Sequence, residues 1–204
     1  MRSLSSLLLS LGLVTVVGCK HGPETRSYAR SLEMVLDNGR ASERPLTPPS
    51  TFEMLLRYDP QLSGYKPLAM RFLLAHSGHL IFTIYENSSQ ERPGKVLKVI
   101  DGEYDPSLIS SGKDGKWVVE QLGLPMQKGL IWIGIHAVGG DDPRLWASSN
   151  ESSAYQRDPD PATPFDSTRI RRTPMVRLDV LPEGADALAE IEAASGGGRA
   201  KGLR

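Results

Sequence analysis

His76, His79 and His136 are the residues best suited to metal or acid–base chemistry; the fourth histidine, His21, precedes any domain-like pattern. His76 and His79 flank a Ser77-Gly78 turn, and that spacing could bring two imidazoles to one metal. A zinc site needs at least three protein ligands, and His136 is the only other histidine within reach of a domain. No His-Glu-x-x-His or Gly-x-Ser-x-Gly pattern occurs. Exposed turn and strand-end histidines account for the arrangement more simply. Glycoside hydrolysis needs two carboxyl groups facing each other across a cleft. Glu53, Glu86, Glu103 and Glu120 are spread over separate apolar runs, and nothing in their spacing pairs any two. The expectation is a chain without catalytic residues.

The stretch 139–173 offers binding chemistry instead. Trp132 and Trp146 bracket a Gly139-Gly140 turn, and Tyr155 follows in a long polar connection. Asp141, Asp142 and Asp158 lie among them. Aromatic faces beside carboxylates suit a sugar, whose apolar ring face stacks while its hydroxyls donate to the acids. These six residues are the candidate ligand-binding set. The competing reading for Trp132 is a satellite of the core beneath the loop. Clustered oxygens in the same stretch also suit calcium, although no Asp-x-Asp-x-Asp-Gly loop is present. Arg169, Arg171 and Arg172 form a basic group, of which a solvated sheet edge explains Arg169 and Arg171.

The elements that must position these residues have the period of strands. Met70, Phe72 and Leu74 alternate with Ala69, Arg71 and Leu73, and Leu80, Phe82 and Ile84 with Ile81, Thr83 and Tyr85. Ile131, Ile133 and Ile135 alternate with Trp132, Gly134 and His136, and Val176, Leu178 and Val180 with Arg177 and Asp179. Weaker runs cover 52–58, 96–100, 117–122, 144–147 and 168–171. Turn chemistry at Ser77-Gly78, Pro93-Gly94, Asp114-Gly115 and Gly139-Gly140 separates them. Eight or nine short strands imply an all-β fold, an antiparallel β-sandwich of immunoglobulin-like or jelly-roll type, over residues 51–182. Tyr28, Leu32, Val35 and Leu36 share a helical face, which predicts a helix over 24–37. Pro45, Pro48 and Pro49 then imply a stiff extended tether up to residue 50. After residue 182, an Ala/Glu-rich helix over 186–194 and a Gly-rich basic tail are expected.

The start of the chain reads as an export leader. Arg2 precedes an apolar run from Leu4 to Val17, too short to span a bilayer, and polar residues follow at once. Leu13-Val14-Thr15-Val16-Val17-Gly18-Cys19 resembles the lipobox of bacterial lipoproteins, with Val16 and Val17 where Leu and a small residue are commoner. The resemblance implies cleavage after Gly18, lipidation of Cys19 and anchoring in a membrane through its acyl chains. Lys20, rather than Asp, at the next position points to the outer membrane of the cell envelope. An ordinary secretory signal beside a free Cys19 is the alternative.

The chain has 24 basic and 24 acidic residues, and cleavage would remove only Arg2, leaving a formal charge of −1. No global field favours nucleic acid. Cys19 is the single cysteine, so an intramolecular disulfide is excluded and stability must come from an apolar core. The expectation is therefore a lipid-anchored, non-catalytic envelope protein without a resident cofactor. Its sandwich would bind a surface glycan or an envelope protein. A structural or accessory subunit of an envelope assembly is the alternative, and a carbohydrate-active hydrolase the third reading.

Overall fold

Alternating apolar runs become paired strands in the computed structural model, which describes residues 31–37, 41, 44–111, 116–140, 142–148, 154–157 and 172–185. The strands are β1 (Leu32–Val35), β2 (Glu53–Tyr58), β3 (Tyr65–Phe72), β4 (Leu74–His76), β5 (Gly78–Asn87) and β6 (Pro93–Tyr104). They continue with β7 (Val118–Gln121), β8 (Ile131–Ala137), β9 (Arg144–Leu145), β10 (Ala147–Ser148), β11 (Ala154–Arg157), β12 (Thr173–Pro174) and β13 (Val176–Pro182). A four-stranded sheet has the order β1-β13-β3-β7 and a five-stranded sheet the order β11-β2-β8-β5-β6. Every pairing is antiparallel. The short pairs β4-β9 and β10-β12 form two further ladders.

The two main sheets pack face to face in a sandwich-like arrangement. Met70, Phe72, Val176 and Leu178 of one meet Leu56, Phe82, Ile84, Ile133 and Ile135 of the other in a single buried cluster. Phe72 and Phe82 stack with centroids 4.8 Å apart, and the Tyr104 ring meets them edge-on at 5.1 and 6.4 Å. Tyr58 Oη donates to the Val176 carbonyl across the core at 2.6 Å, so a buried hydroxyl ties one sheet to the other. On the open side, the Lys98 ammonium donates to the carbonyls of Gln121 and Leu122 at 2.8 and 2.7 Å. That contact fastens β6 to the end of β7.

The helix expected over 24–37 is corrected where the chain is described: Leu32–Val35 is a strand paired with β13, and residues 24–30 lie outside the described residues. Leu32, Met34 and Leu36 also alternate with Glu33, Val35 and Asp37. Pairing with β13 lets Met34 and Leu36 pack on the core while satisfying backbone groups that β13 would otherwise leave open. Tertiary pairing thus outweighs a short helical period. Charges lock the strand down. Arg177 makes two hydrogen bonds to Asp37, at 3.1 and 3.0 Å, and one to Glu33 at 3.1 Å. Arg71 bridges Glu33 and Asp179 at 2.7 and 2.6 Å. Both guanidinium groups lie over the Trp117 ring, 4.4 Å away for Arg177 and 5.9 Å for Arg71. Burial alone would lower the Arg177 pKa, but Asp37 and Glu33 outweigh it and hold it above its ordinary value.

The described part of the proline-rich stretch, residues 44–50, lies on the sandwich. Leu46 exchanges backbone hydrogen bonds with Leu145 at 2.8 and 2.9 Å, Pro48 is buried, and the Pro49 carbonyl accepts from Ala137 N–H at 2.9 Å. The helix expected over 186–194 and the weak strand over 168–171 lie outside the described residues.

Candidate functional site

The aromatic platform expected around Trp132 is not formed. Trp132 is 2% exposed, and with Leu55, Tyr85 and Leu130 it makes a small second core on the outer face of the five-stranded sheet. Tyr155 packs on it edge-on with centroids 5.6 Å apart, and the indole N–H donates to Asn87 Oδ1 at 3.0 Å. The ring face that would stack on a sugar is therefore occupied by protein, and the satellite-core reading of Trp132 is the one observed.

Trp146 lies elsewhere. Its backbone joins Leu73 and Met175, and its indole N–H donates to the Ser110 carbonyl at 3.1 Å. Trp132 pairs with Tyr85 at the far end of β5, whereas Trp146 adjoins the residues just before β5 begins. The two indoles do not converge. Asp141 and Asp158, and most of the stretch considered for calcium, lie outside the described residues. Among the described residues, no three His, Cys, Asp or Glu side chains are placed to hold a metal.

Asp142 does reach a concave surface. A cleft of about 560 Å³ opens between the β4–β5 turn, the end of β6 and the β8–β9 connection. His76, Ser77, Gly78, Glu103, Tyr104, Asp105, Pro106, Gly140 and Asp142 line it. Each wall has a local cause. Asp105 caps a 3-10 turn, Pro106–Leu108, by accepting from Ser107 N–H at 2.7 Å, with Pro106 at the first helical position. Gly140 has φ +101, which a residue with a side chain would adopt only under strain. Asp142 is held by the Arg144 guanidinium and accepts from Thr47 Oγ1 at 3.1 Å. Tyr104, only 4% exposed, forms the floor, and its Oη donates to Glu120 Oε1 at 3.1 Å.

The electrostatics of the rim follow from those partners. The Ser107 hydroxyl and N–H hold the Asp105 carboxyl below the usual carboxylate range, and Arg144 does the same for Asp142. Both acids are fixed as anions at neutral pH, so they accept hydrogen bonds and do not donate protons. Just outside the cleft, His79 Nε2 is bonded to Asp101 Oδ1. His136 and Asp101 flank Ile81 on the neighbouring strands. Burial depresses the His136 pKa and the nearby His79 adds to this, against the pull of Asp101.

Of the six residues expected to bind ligand, the described structure brings only Asp142 to the cleft. His76 and Glu103 enter it from positions weighed for zinc and for hydrolysis. Asp105 was missed, although Asp-Pro-Ser is a helix-start signal legible in sequence. No family model, curated protein or solved structure matches the chain.

Proposed function

We propose that this chain is a lipid-anchored, non-catalytic protein of the bacterial envelope whose sandwich binds a surface glycan in the cleft beside His76, Asp105 and Asp142. The observation that carries the reading is an open cleft of about 560 Å³ whose carboxylate rim is held ionised by fixed partners. Fixed anions accept hydrogen bonds from sugar hydroxyls without reorganising, and such charge-assisted bonds are among the stronger polar contacts. The lipobox-like run ending at Cys19 supports anchoring at the envelope, and Lys20 supports the outer membrane.

The same electrostatics argue against the hydrolase alternative. A glycosidase acid must hold its proton near neutral pH, which requires a raised pKa. Asp105 and Asp142 are shifted the other way, while among the described residues the carboxyl that burial pushes up, Asp179, lies in the other sheet beside Arg71. For the assembly alternative, the described part of the 24–37 segment is already paired with β13, and the sheet edges remain as docking surfaces.

Co-sedimentation of the full chain with protein-stripped envelope polysaccharide tests the reading, with calcium and chelator arms in parallel. Saturable pelleting is expected. His76→Ala and Asp105→Asn should each weaken it about tenfold, the equivalent of roughly one charge-assisted hydrogen bond, without moving the melting temperature. Pelleting that ignores both substitutions would place binding elsewhere, and no pelleting would reject a glycan ligand. Palmitate labelling that disappears in Cys19→Ala would establish the anchor, and labelling that persists would reject it.

A further inference from the structure

The β8–β9 connection, which supplies Gly140 and Asp142 to the cleft, is backed by a segment distant from it in sequence. Leu46 and Leu145 exchange two backbone hydrogen bonds as an antiparallel bridge, at 2.8 and 2.9 Å. Thr47 Oγ1 donates to Asp142 Oδ1 at 3.1 Å, and the Pro49 carbonyl accepts from Ala137 N–H at 2.9 Å. Leu46, Thr47 and Pro49 thus meet Leu145, Asp142 and Ala137 in turn. The segment grips both ends of the connection and one residue inside it, and the cleft-lining Gly140 and Asp142 lie between the two end grips.

The segment is built to dock as a unit. Pro45, Pro48 and Pro49 fix φ at three of its five positions, so little backbone freedom is lost on docking. Pro48 is buried, and the Arg172 guanidinium reaches the Pro45 carbonyl at 3.4 Å. The sandwich has its own hold on the flanking residues. Leu145 pairs with Leu74 in the β4-β9 ladder, and the amides of Val138 and Trp146 donate to His79 and Leu73 at 3.0 and 2.9 Å. The contacts of residues 45–49 can therefore open while those persist, a local opening of low cost relative to unfolding.

We propose that residues 45–49 are a strap that sets the shape of the cleft. Docked, it holds the β8–β9 wall with Asp142 at the rim; lifted, it frees that wall while the two sheets stay packed. The coupling is reciprocal: a ligand that needs the wall in place favours the docked strap by the factor by which docking favours the ligand. The inference does not depend on what the cleft binds. Its test contains no polysaccharide, so either proposal can fail alone.

Amide hydrogen exchange of the full chain, followed by NMR, reads the strap directly, because the N–H groups of Leu46, Ala137 and Leu145 are donors in its contacts. Pro48→Gly adds backbone freedom to the undocked segment and should speed exchange at those three amides together, by about tenfold. Val138 and Trp146, bonded within the sandwich, should keep their protection. Unchanged exchange at Ala137 and Leu145, or an equal rise at all five amides, overturns the proposal. The second arm is Thr47→Val, which removes a hydroxyl with little change of shape. Thr47 helps Arg144 hold the Asp142 carboxyl low, so Asp142 should titrate at higher pH in this variant, and Thr47→Ser should keep the native value. An Asp142 titration unmoved by Thr47→Val, or moved equally by Thr47→Ser, would likewise overturn it.

Discussion

The Glu53 carboxylate lies across the backbone of β8, 3% exposed, with both oxygens accepting from Tyr85 Oη at 3.0 and 2.8 Å. It can lie there only because residue 134 is glycine: a Cβ at that position would overlap the carboxylate. Gly134→Ala should therefore cost about 1–3 kcal/mol, measurable by denaturant unfolding, and an unchanged midpoint would show that Glu53 can move aside. Trp132→Ala should be worse, about 3–5 kcal/mol, because it empties a buried site; the half-buried Trp146 should lose clearly less when truncated. A smaller loss at Trp132 than at Trp146 would contradict the assignment of the second core. His136 sets a pH dependence. Its folded pKa lies below the ordinary 6.5, so as pH falls through 6.5 the unfolded chain takes up a proton that the folded chain resists. Stability should decline over that interval, down to the folded pKa, and His136→Gln should flatten the slope. A slope unchanged by the substitution would assign it to other groups.

β1 shows how tertiary context decides an element. Its residues support two periods, and the one realised places Glu33 and Asp37 within reach of Arg71 and Arg177, which come from β3 and β13. No local window contains that information. The strands with strict alternation, around Phe72, Phe82, Ile133 and Leu178, were legible because one face of each meets the core. Trp132 was legible only as two alternatives, since whether an outer sheet face is covered depends on distant segments. The cleft was less legible still, because its walls come from three separated stretches. Arg177→Ala should remove a paired guanidinium from the buried Asp37 and cost about 3 kcal/mol. Hydrogen exchange should then show β1 amides losing protection while β5 and β8 keep theirs. Uniform loss across both sheets would mean that β1 is not a separable unit.

At the scale of the molecule, the four-stranded sheet joins distant parts of the chain: residues 32–35 pair with 177–180, and β3 lies between β13 and β7. Such non-local pairing makes ordering slow, because loop closure precedes the contacts that offset it. Refolding of the main phase should fall in the millisecond-to-second range by stopped-flow tryptophan fluorescence. A microsecond phase carrying the full amplitude would mean that local contacts dominate.

The position of β1 also has a mechanical consequence. Twelve residues separate Cys19 from Leu32, a reach of about 45 Å when fully drawn out. If the chain is held through Cys19 as proposed, tension entering at residue 31 would fall first on β1 and its two arginine clamps. Along the strand, the load is shared by its four residue pairs at once; across the strand, it opens them one after another. If β1 peels, the next described backbone pairing is Leu46 with Leu145. The fourteen residues released would add about 50 Å of line. On that reading, β1 would open and lengthen the link to the proposed anchor before the core is strained.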